Sequence, residues 1–523
     1  MLRSARRRVS IHALDRGHSP PVSRRILAAA TGVASSPEAT TTTSTSETWT
    51  LRLFLRRHPW WGVALGMIVL SAAIVEWAGT RPGFDPYGWL VWGHQATTLS
   101  LDTNAAPSWK PLPFLFTVIY ALAGHYELGL WMVTVTAVSL SGVVFAGRIV
   151  YRLTGAPPER RWAGIVAGVL AGAMLLGFSN YFHYVLSSQS DPMIVALCLG
   201  AIDCYVYGRP RAAFVLGVLA ALGRPEVWPF LGLYSLWQWR RRPELRGLLI
   251  GGWVIVVLLW FGIPALTSRS PFVAASNAMG SGRRLHSNKI LGTIGRFFSI
   301  NELPVQLAAL GAVGLAALGV RRPRGRQGRH EGDQRDLITL VLAAGVVLWV
   351  IVEIAFALHG WPALARYMWE AGGVLVVLAG IGIGRLLADR PAVPRLPAWA
   401  GIGLVALLVA GLVPTAITHA RAEHRDLKGQ RLRTTEIRRL TPAINQLGGV
   451  RRLAGCGEPL TRLEYQTMLA YTLNLNVSRV GFKYGQAIAH GNPIVLFTPT
   501  SHGWLIQAMH QTAARCRSLP QAR

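Results

Sequence analysis

AAFVLGVLAALGRPEVWPFLGLYSLWQW, residues 212–239, lies between Arg209 and Arg211 on one side and Arg240, Arg241 and Arg242 on the other. Both halves are apolar, and Gly223-Arg224-Pro225-Glu226 stands between them. Proline cannot continue a helix without losing a backbone hydrogen bond, and it steers the preceding residue out of the α region. If the two arginine clusters share a compartment, the stretch crosses a boundary an even number of times. It then reads as two short helices with a turn at 223–226; one kinked helix lying in an interface is the competing reading.

Composition supplies the boundary. The chain has 523 residues, 51% hydrophobic and only 15% charged, with 19 Trp and a mean hydropathy of +0.34. Soluble domains are about 25% charged, so the chain reads as a polytopic membrane protein. A net charge of +29 would suggest nucleic acid on a soluble protein. Here the arginines stand in short blocks between apolar runs, as the positive-inside bias arranges them, and no nucleic-acid partner is expected. Four of the 53 basic residues are lysines, and the preference for Arg, Ala and Gly reflects coding bias more than function.

Apolar runs at 62–78, 128–147, 162–178, 192–207, 247–266, 303–320, 337–357, 368–388 and 398–414 are each near the length that spans a hydrocarbon core. The basic blocks between them are Arg148, Arg152, Arg160 and Arg161; Arg209 and Arg211; Arg240, Arg241, Arg242 and Arg246; RRPRGRQGRHEGDQR at 321–335; and Arg385, Arg390 and Arg395. With all five blocks cytoplasmic, the expected fold is an all-α polytopic protein of the cell membrane. It has about eleven transmembrane helices, a cytoplasmic N-terminus and an extracytoplasmic C-terminus.

Three regions follow. Residues 1–61 carry RSARRR and SSPEATTTTSTSE and lack a cleavage site after an apolar core, so they read as a disordered basic cytoplasmic tail. Residues 62–414 form the transmembrane domain, with a first outside loop at 79–127; PLPFLFTVIYALAG (111–124) is short and reads as a helix in the membrane interface. Residues 415–523 read as a small extracytoplasmic α/β module whose clearest strand is IVLFT. In an oxidising space Cys456 and Cys516 can pair, closing a loop of about 60 residues for roughly 4 kcal/mol in the chain-entropy model. Two free thiols are the alternative. Cys198 and Cys204 read as buried small hydrophobes.

The chemistry-bearing residues concentrate in the first outside loop. GFDPYGWLVWGHQ (83–95) carries Asp85, Tyr87, Trp89, Trp92 and His94, and Asp102, Trp109 and Lys110 follow. On composition alone this is a solvated loop whose aromatics seat it at headgroup level. Order adds more. Asp85 and Tyr87, followed by Trp109-Lys110-Pro111-Leu112-Pro113 before an apolar helix, resemble the first periplasmic loop of the GT-C glycosyltransferases. The similar branch is that of aminoarabinose transferases and protein O-mannosyltransferases. This sequence departs from that branch in having Pro86 where the second acid of an Asp-Glu pair stands, and Lys-Pro-Leu-Pro in place of Lys-Pro-Pro. Asp191 in SSQSDPMIV resembles an acid of the family's second outside loop. Arg366-Tyr367 in HGWPALARYMWEAGG resembles its late Arg-Tyr motif, and Arg224-Pro225-Glu226 an Arg-Pro-Glu of bacterial members. The similarity spans roughly residues 80–385, and 415–523 matches no module we can name.

What the resemblance implies is a GT-C-like fold and transfer of a sugar from a polyprenyl-phosphate carrier to a cell-envelope glycan, lipid or protein acceptor on the outer face, with inversion. An attacking hydroxyl needs a general base within hydrogen-bond reach, and Asp85 is assigned that role. The leaving lipid phosphate needs fixed cations; Lys110, Arg366, Arg283 and Arg284 are assigned to it. Tyr87, His94, Asp102, Asp191, Arg224, Glu226 and Tyr367 are the expected substrate-binding residues. No cofactor is required, although Asp85 and Asp191 would suit a divalent metal. For Asp191 a first-turn helix carboxylate is the plainer reading. For Arg224 and Glu226 it is a mutual structural pair. The loop at 267–302 carries Arg269, Arg283, Arg284, His286, Lys289 and Arg296 where the positive-inside bias depletes cations, so carrier phosphate or lipid headgroups are expected to offset them.

Two other classes stay open: a transporter or flippase, and a non-catalytic envelope-assembly protein. Transporters show internal repeats and paired broken helices, whereas this sequence has one broken hairpin and its acids lie in outside loops. GIGIGR (380–385) follows no strand and reads as close helix packing rather than a dinucleotide fingerprint. No pair of histidines has metal-ligand spacing on a common element.

Overall fold

The chain enters as α1 (Pro59–Ala78), α2 (Phe84–Thr97) and α3 (Pro111–Ala121). The computed structural model describes residues 59–280, 285, 288–321, 329–388, 398–501, 503–510, 514–517, 519 and 520. The tail expected over 1–61 therefore lies outside the described residues up to 58, as do Arg283, Arg284 and His286.

Helices then follow as α4 (Glu127–Thr154), α5 (Arg161–Leu176), α6 (Tyr181–Leu186), α7 (Asp191–Val206), α8 (Pro210–Gly223), α9 (Trp228–Arg241), α10 (Arg246–Val257), α11 (Ile263–Thr267), α12 (Val273–Met279) and α13 (Lys289–Phe298). α14 (Leu303–Arg321), α15 (Arg329–Leu358), α16 (Trp369–Leu387) and α17 (Ala398–Gln446) complete the helical body. Seven helical stretches among the described residues are long and apolar enough to cross a membrane: Trp60–Ala78, Gly124–Thr154, Pro243–Thr267, Leu303–Val320, Gly332–Leu358, Ala365–Leu387 and Trp399–Gln446. α5, α7, α8 and α9, at 14 or 16 residues, are shorter, yet they stand where the sequence places the third to sixth spans. The chain is a helical membrane protein.

The stretch at 212–239 is a helical hairpin. α8 ends at Gly223, Arg224 takes an extended conformation ahead of the proline, and a 3-10 turn at Pro225–Val227 leads into α9. α16 is the axis of the bundle, packed by α4, α5, α7, α14 and α15. Of its best apolar window, 83% is buried, against 6–39% for the other six long stretches. Gly382 makes that packing close, because a Cβ there would meet the Ala308 carbonyl of α14 at 2.5 Å.

The first loop departs from its expected form. Residues 84–97 are the helix α2, and Trp89 and Trp92 are 0% exposed and Tyr87 2%. These aromatics are core residues, not a headgroup belt. Trp89 packs edge-on against Trp131 of α4. Trp92 tilts against Trp109. Gly93 lets α2 approach α3, since a Cβ there would lie 2.5 Å from the Thr117 carbonyl oxygen. α3 buries Leu112 and Phe114 and exposes Ile119.

α17 runs 49 residues, so the expected division at 414/415 falls inside one helix. At 1.5 Å per residue that is about 74 Å, well beyond a hydrocarbon core of about 30 Å. Beyond it come α18 (Val450–Ala454), β1 (Glu458–Leu460), α19 (Gln466–Leu473), α20 (Tyr484–Ala489), β2 (Ile494–Thr500), β3 (Gly503–Met509) and α21 (Ala514–Arg517). The sheet has the order β1-β2-β3, with β1 parallel to β2 and β2 antiparallel to β3. A disulfide joins Cys456 to Cys516. Contacts from Pro59 to Arg523 form one compact unit that includes this C-terminal region.

Candidate active site

Three helix starts and one turn meet at the end of the bundle nearest α2. Asp191 is the first residue of α7, where the positive end of the helix dipole favours a carboxylate. Lys110 is the N-cap of α3 and is fixed by its neighbours. The Trp109 indole donates to the Leu259 carbonyl at 3.0 Å. That carbonyl lies in a π-helical segment at Leu258–Gly262 between α10 and α11, a place where the regular ladder is interrupted. Arg366 and Tyr367 lie in a 3-10 turn at Ala365–Met368 that leads into α16. Arg224 and Glu226 come from the α8–α9 turn.

These groups form one cluster. Arg224 Nη2 donates to Asp191 Oδ1, and Arg366 Nε lies 3.5 Å from the same oxygen. Arg224 Nε stands 3.4 Å from Glu370 Oε1 of α16. Arg366 Nη1 donates to the Tyr184 hydroxyl at 2.9 Å. The Arg224 guanidinium covers the Tyr367 ring at 4.4 Å, and the Trp349 indole holds the Tyr367 carbonyl at 2.9 Å. Lys110 Nζ donates to Ser190 Oγ at 3.3 Å and sits over Trp89 at 5.7 Å. Glu226 and Glu353 lie close enough to Arg224 to act on its charge or feel it.

Burial divides the cluster into two layers. Asp191, Arg224, Glu226, Glu353 and Glu370 are 1–3% exposed and form the backing. Asp85, Lys110, Arg366 and Tyr367 are only partly buried and form the accessible edge. Asp85 lies in the first turn of α2, and its carboxylate has no hydrogen-bond or ion-pair partner among the described residues. Its charge acts on both Lys110 and Arg366. Burial pushes the Lys110 ammonium below the ordinary lysine value; Asp191 and Asp85 pull it back up, and Arg224 and Arg366 push it down further.

Other expected site residues lie elsewhere. His94 Nε2 pairs with Glu127 Oε2 at 2.7 Å, and its ring stacks on Tyr471 of α19. Asp102 accepts from the Asn104 backbone N–H at 2.9 Å and the Ser478 hydroxyl at 3.3 Å. Tyr87 packs against Tyr471, and burial pushes its hydroxyl up to about 12. All three tie α2 and its loop to the C-terminal region and have no bond to the cluster around Asp191. Pro86, which follows Asp85 in α2, is buried. Arg296, expected to face an anion, donates to the Pro362 and Ala363 carbonyls, so the backbone of the connection between α15 and α16 uses this cation. The Asp191 carboxylate is taken up by two guanidinium groups, and among the described residues no group of three His, Cys, Asp or Glu side chains has metal-site geometry.

Sequence reasoning singled out neither Glu370 nor Glu353. The signal was present, because each is an acid inside an apolar run, where an ionisable group marks a site by default. Tyr184 and Ser190 carried no comparable signal.

No family model and no curated protein matches the chain. The solved structures similar to it include two of one protein. The crystal structure of ArnT from Cupriavidus metallidurans bound to undecaprenyl phosphate shares 16% identity at a TM-score of 0.46, covering 83% of this chain and 93% of that chain. The same protein in the apo state shares 15% at 0.45, with the same coverage. Likeness at this level assigns the chain to no family.

Proposed function

We propose that the chain is a GT-C type membrane glycosyltransferase that transfers a sugar from a polyprenyl-phosphate carrier to an acceptor hydroxyl on the outer face of the membrane. The observation that carries this reading is the accessible edge of the cluster. A carboxylate without a partner, Asp85, stands within electrostatic reach of two partly exposed cations, Lys110 and Arg366.

Transfer from a phosphate-linked sugar needs both kinds of group at once. A carboxylate takes the proton of the attacking hydroxyl, and positive charge stabilises the phosphate as it leaves. Asp85 suits the first role because no other described group competes for its lone pairs. Lys110 and Arg366 suit the second, and Asp191 of the backing layer together with Tyr184 holds Arg366 in place. A single displacement inverts the anomeric centre. The loop holding Asp85 is then extracytoplasmic, as is the C-terminal region bonded to it.

The test is reconstitution of the full chain into vesicles with radiolabelled polyprenyl-phosphate sugars. Asp85→Asn is expected to lower transfer by about 10²–10⁴-fold, the span ascribed to general acid–base catalysis, while the protein stays folded. Undiminished transfer by the folded variant removes Asp85 as base. Solute uptake without transfer from any polyprenyl donor places the protein among transporters.

A further inference from the structure

Asp85 is held from the C-terminal region as much as from the membrane bundle. The end of α1 and the linker from α1 to α2, residues 79–83, are gripped on their carbonyls. Arg431 of α17 donates to the Trp77 and Ala78 carbonyls at 2.8 Å each, and Arg433 donates to the Pro82 carbonyl at 2.7 Å. On the other flank the Gly83 N–H donates to the Ser187 carbonyl at 2.8 Å, and the Thr80 hydroxyl to the Leu186 carbonyl at 2.8 Å. The start of α2 has no side-chain cap of its own. Separately, the Thr467 hydroxyl of α19 donates to the Phe84 carbonyl, one residue before Asp85, at 2.6 Å.

Thr467 and Tyr471 are four residues apart on α19 and so share a face. Tyr471 lays its ring against Tyr87 at 5.4 Å and His94 at 5.7 Å, and its hydroxyl donates to Glu127 Oε1 at 2.5 Å. One face of α19 therefore touches α2 at its first turn, one turn later and near its end. Thr467 is 0% exposed, so this bond is shielded from water. Lys110 and Arg366 are placed differently, by α3 and by the turn before α16.

We propose that Thr467 is a positioning residue for the transfer reaction, and that the C-terminal region works as a clamp fixing Asp85 relative to the cations of the bundle. The proposal rests on the reading of Asp85 as base. A displacement of about 1 Å at a reacting group costs on the order of 10²-fold in rate. Loss of one of several restraints shifts Asp85 by less, so the effect expected for Thr467→Val is a fall in kcat of about tenfold. The KM for the polyprenyl-phosphate donor stays within twofold, because the cations are held by other elements. Thr467→Ser keeps the hydroxyl and restores kcat.

The experiment uses the full chain in two arms. In vesicles, kcat and the donor KM are measured for wild type, Thr467→Val, Thr467→Ser and Tyr471→Phe. In detergent, amide hydrogen exchange is followed across residues 83–97, with residues 191–206 and 369–387 as references. Faster exchange in 83–97 alone, with reduced kcat and rescue by serine, supports the clamp. Unchanged kcat and exchange in Thr467→Val overturn it, and so does a kcat that falls equally in the serine variant. If Thr467→Val does not fold, Tyr471→Phe decides by the same two readouts. If the wild type transfers from no polyprenyl donor, the function reading fails and the catalytic part of this proposal with it. The exchange arm then still decides whether Thr467 fixes α2.

Discussion

Two arginines converge on one oxygen of Asp191, so a single buried carboxylate sets the spacing of the cations around it. A buried charge is costly unless paired, and removing one partner strands the others, so this group works as a unit. His94 supports a prediction of a different kind. Its hydrogen bond to Glu127 raises its pKa above the ordinary 6.5; burial opposes this, and the Glu127 charge adds to it. A raised folded-state value means that the pair's stabilisation is fully present below pH 6.5 and is lost as pH rises through the raised value. Tyr471 stacks on the ring and shares Glu127, so the loss falls on the contact between α2 and α19. Proteolysis of the C-terminal region is expected to quicken as pH rises through that raised value in wild type and to lose that dependence in His94→Gln. A pH dependence that persists in the variant excludes His94 as its source. At this scale the sequence points to candidate residues but not to their partners. Asp85, Lys110 and Arg366 were legible from motif order, whereas His94 and Asp102 were read into the same site because they share its loop. Nothing local revealed that they face α19 and Ser478.

Elements were legible where the cause is local. The α8–α9 hairpin follows from Pro225 and the flanking arginines, and α16 from its apolar run and its glycines. α2 was not legible as a helix, because FDPYGWLVWGHQAT contains a proline and two glycines and has no apolar stripe. Its helix is stabilised by burial between α3 and α19, a contact that joins distant parts of the chain. The C-terminal elements gain their own constraint from the Cys456–Cys516 disulfide, whose partners are 60 residues apart in sequence. In the chain-entropy model such a closure contributes about 4 kcal/mol. Reductant, or Cys456→Ser with Cys516→Ser, is expected to speed cleavage within residues 447–520 while 369–387 stay protected. Equal resistance with and without the bond shows that packing on α2 alone holds the region.

For the whole molecule, direction across the membrane follows from where the arginines lie. A reporter fused after residue 330 is expected to be active only in the cytoplasm, and one after residue 430 only outside. Both reporters on one side would mean an even number of crossings between them in place of three, and both in the cytoplasm would remove the extracytoplasmic assignment of Asp85. The continuity of α17 was hidden because its sequence changes from apolar to basic near Arg421, which reads as a domain boundary, while the backbone continues helical through both Pro414 and Pro442.

The bond from Thr467 to Phe84 joins residues 383 positions apart. A ribosome delivers the acid hundreds of residues before its restraint. Throughout that interval the nascent chain holds Asp85 on a segment that nothing from α19 grips. A product terminated before Thr467 can insert every span, yet it lacks the grip. On the clamp reading, catalytic competence therefore waits for α19 to be made, long after Asp85 and the spans of the bundle.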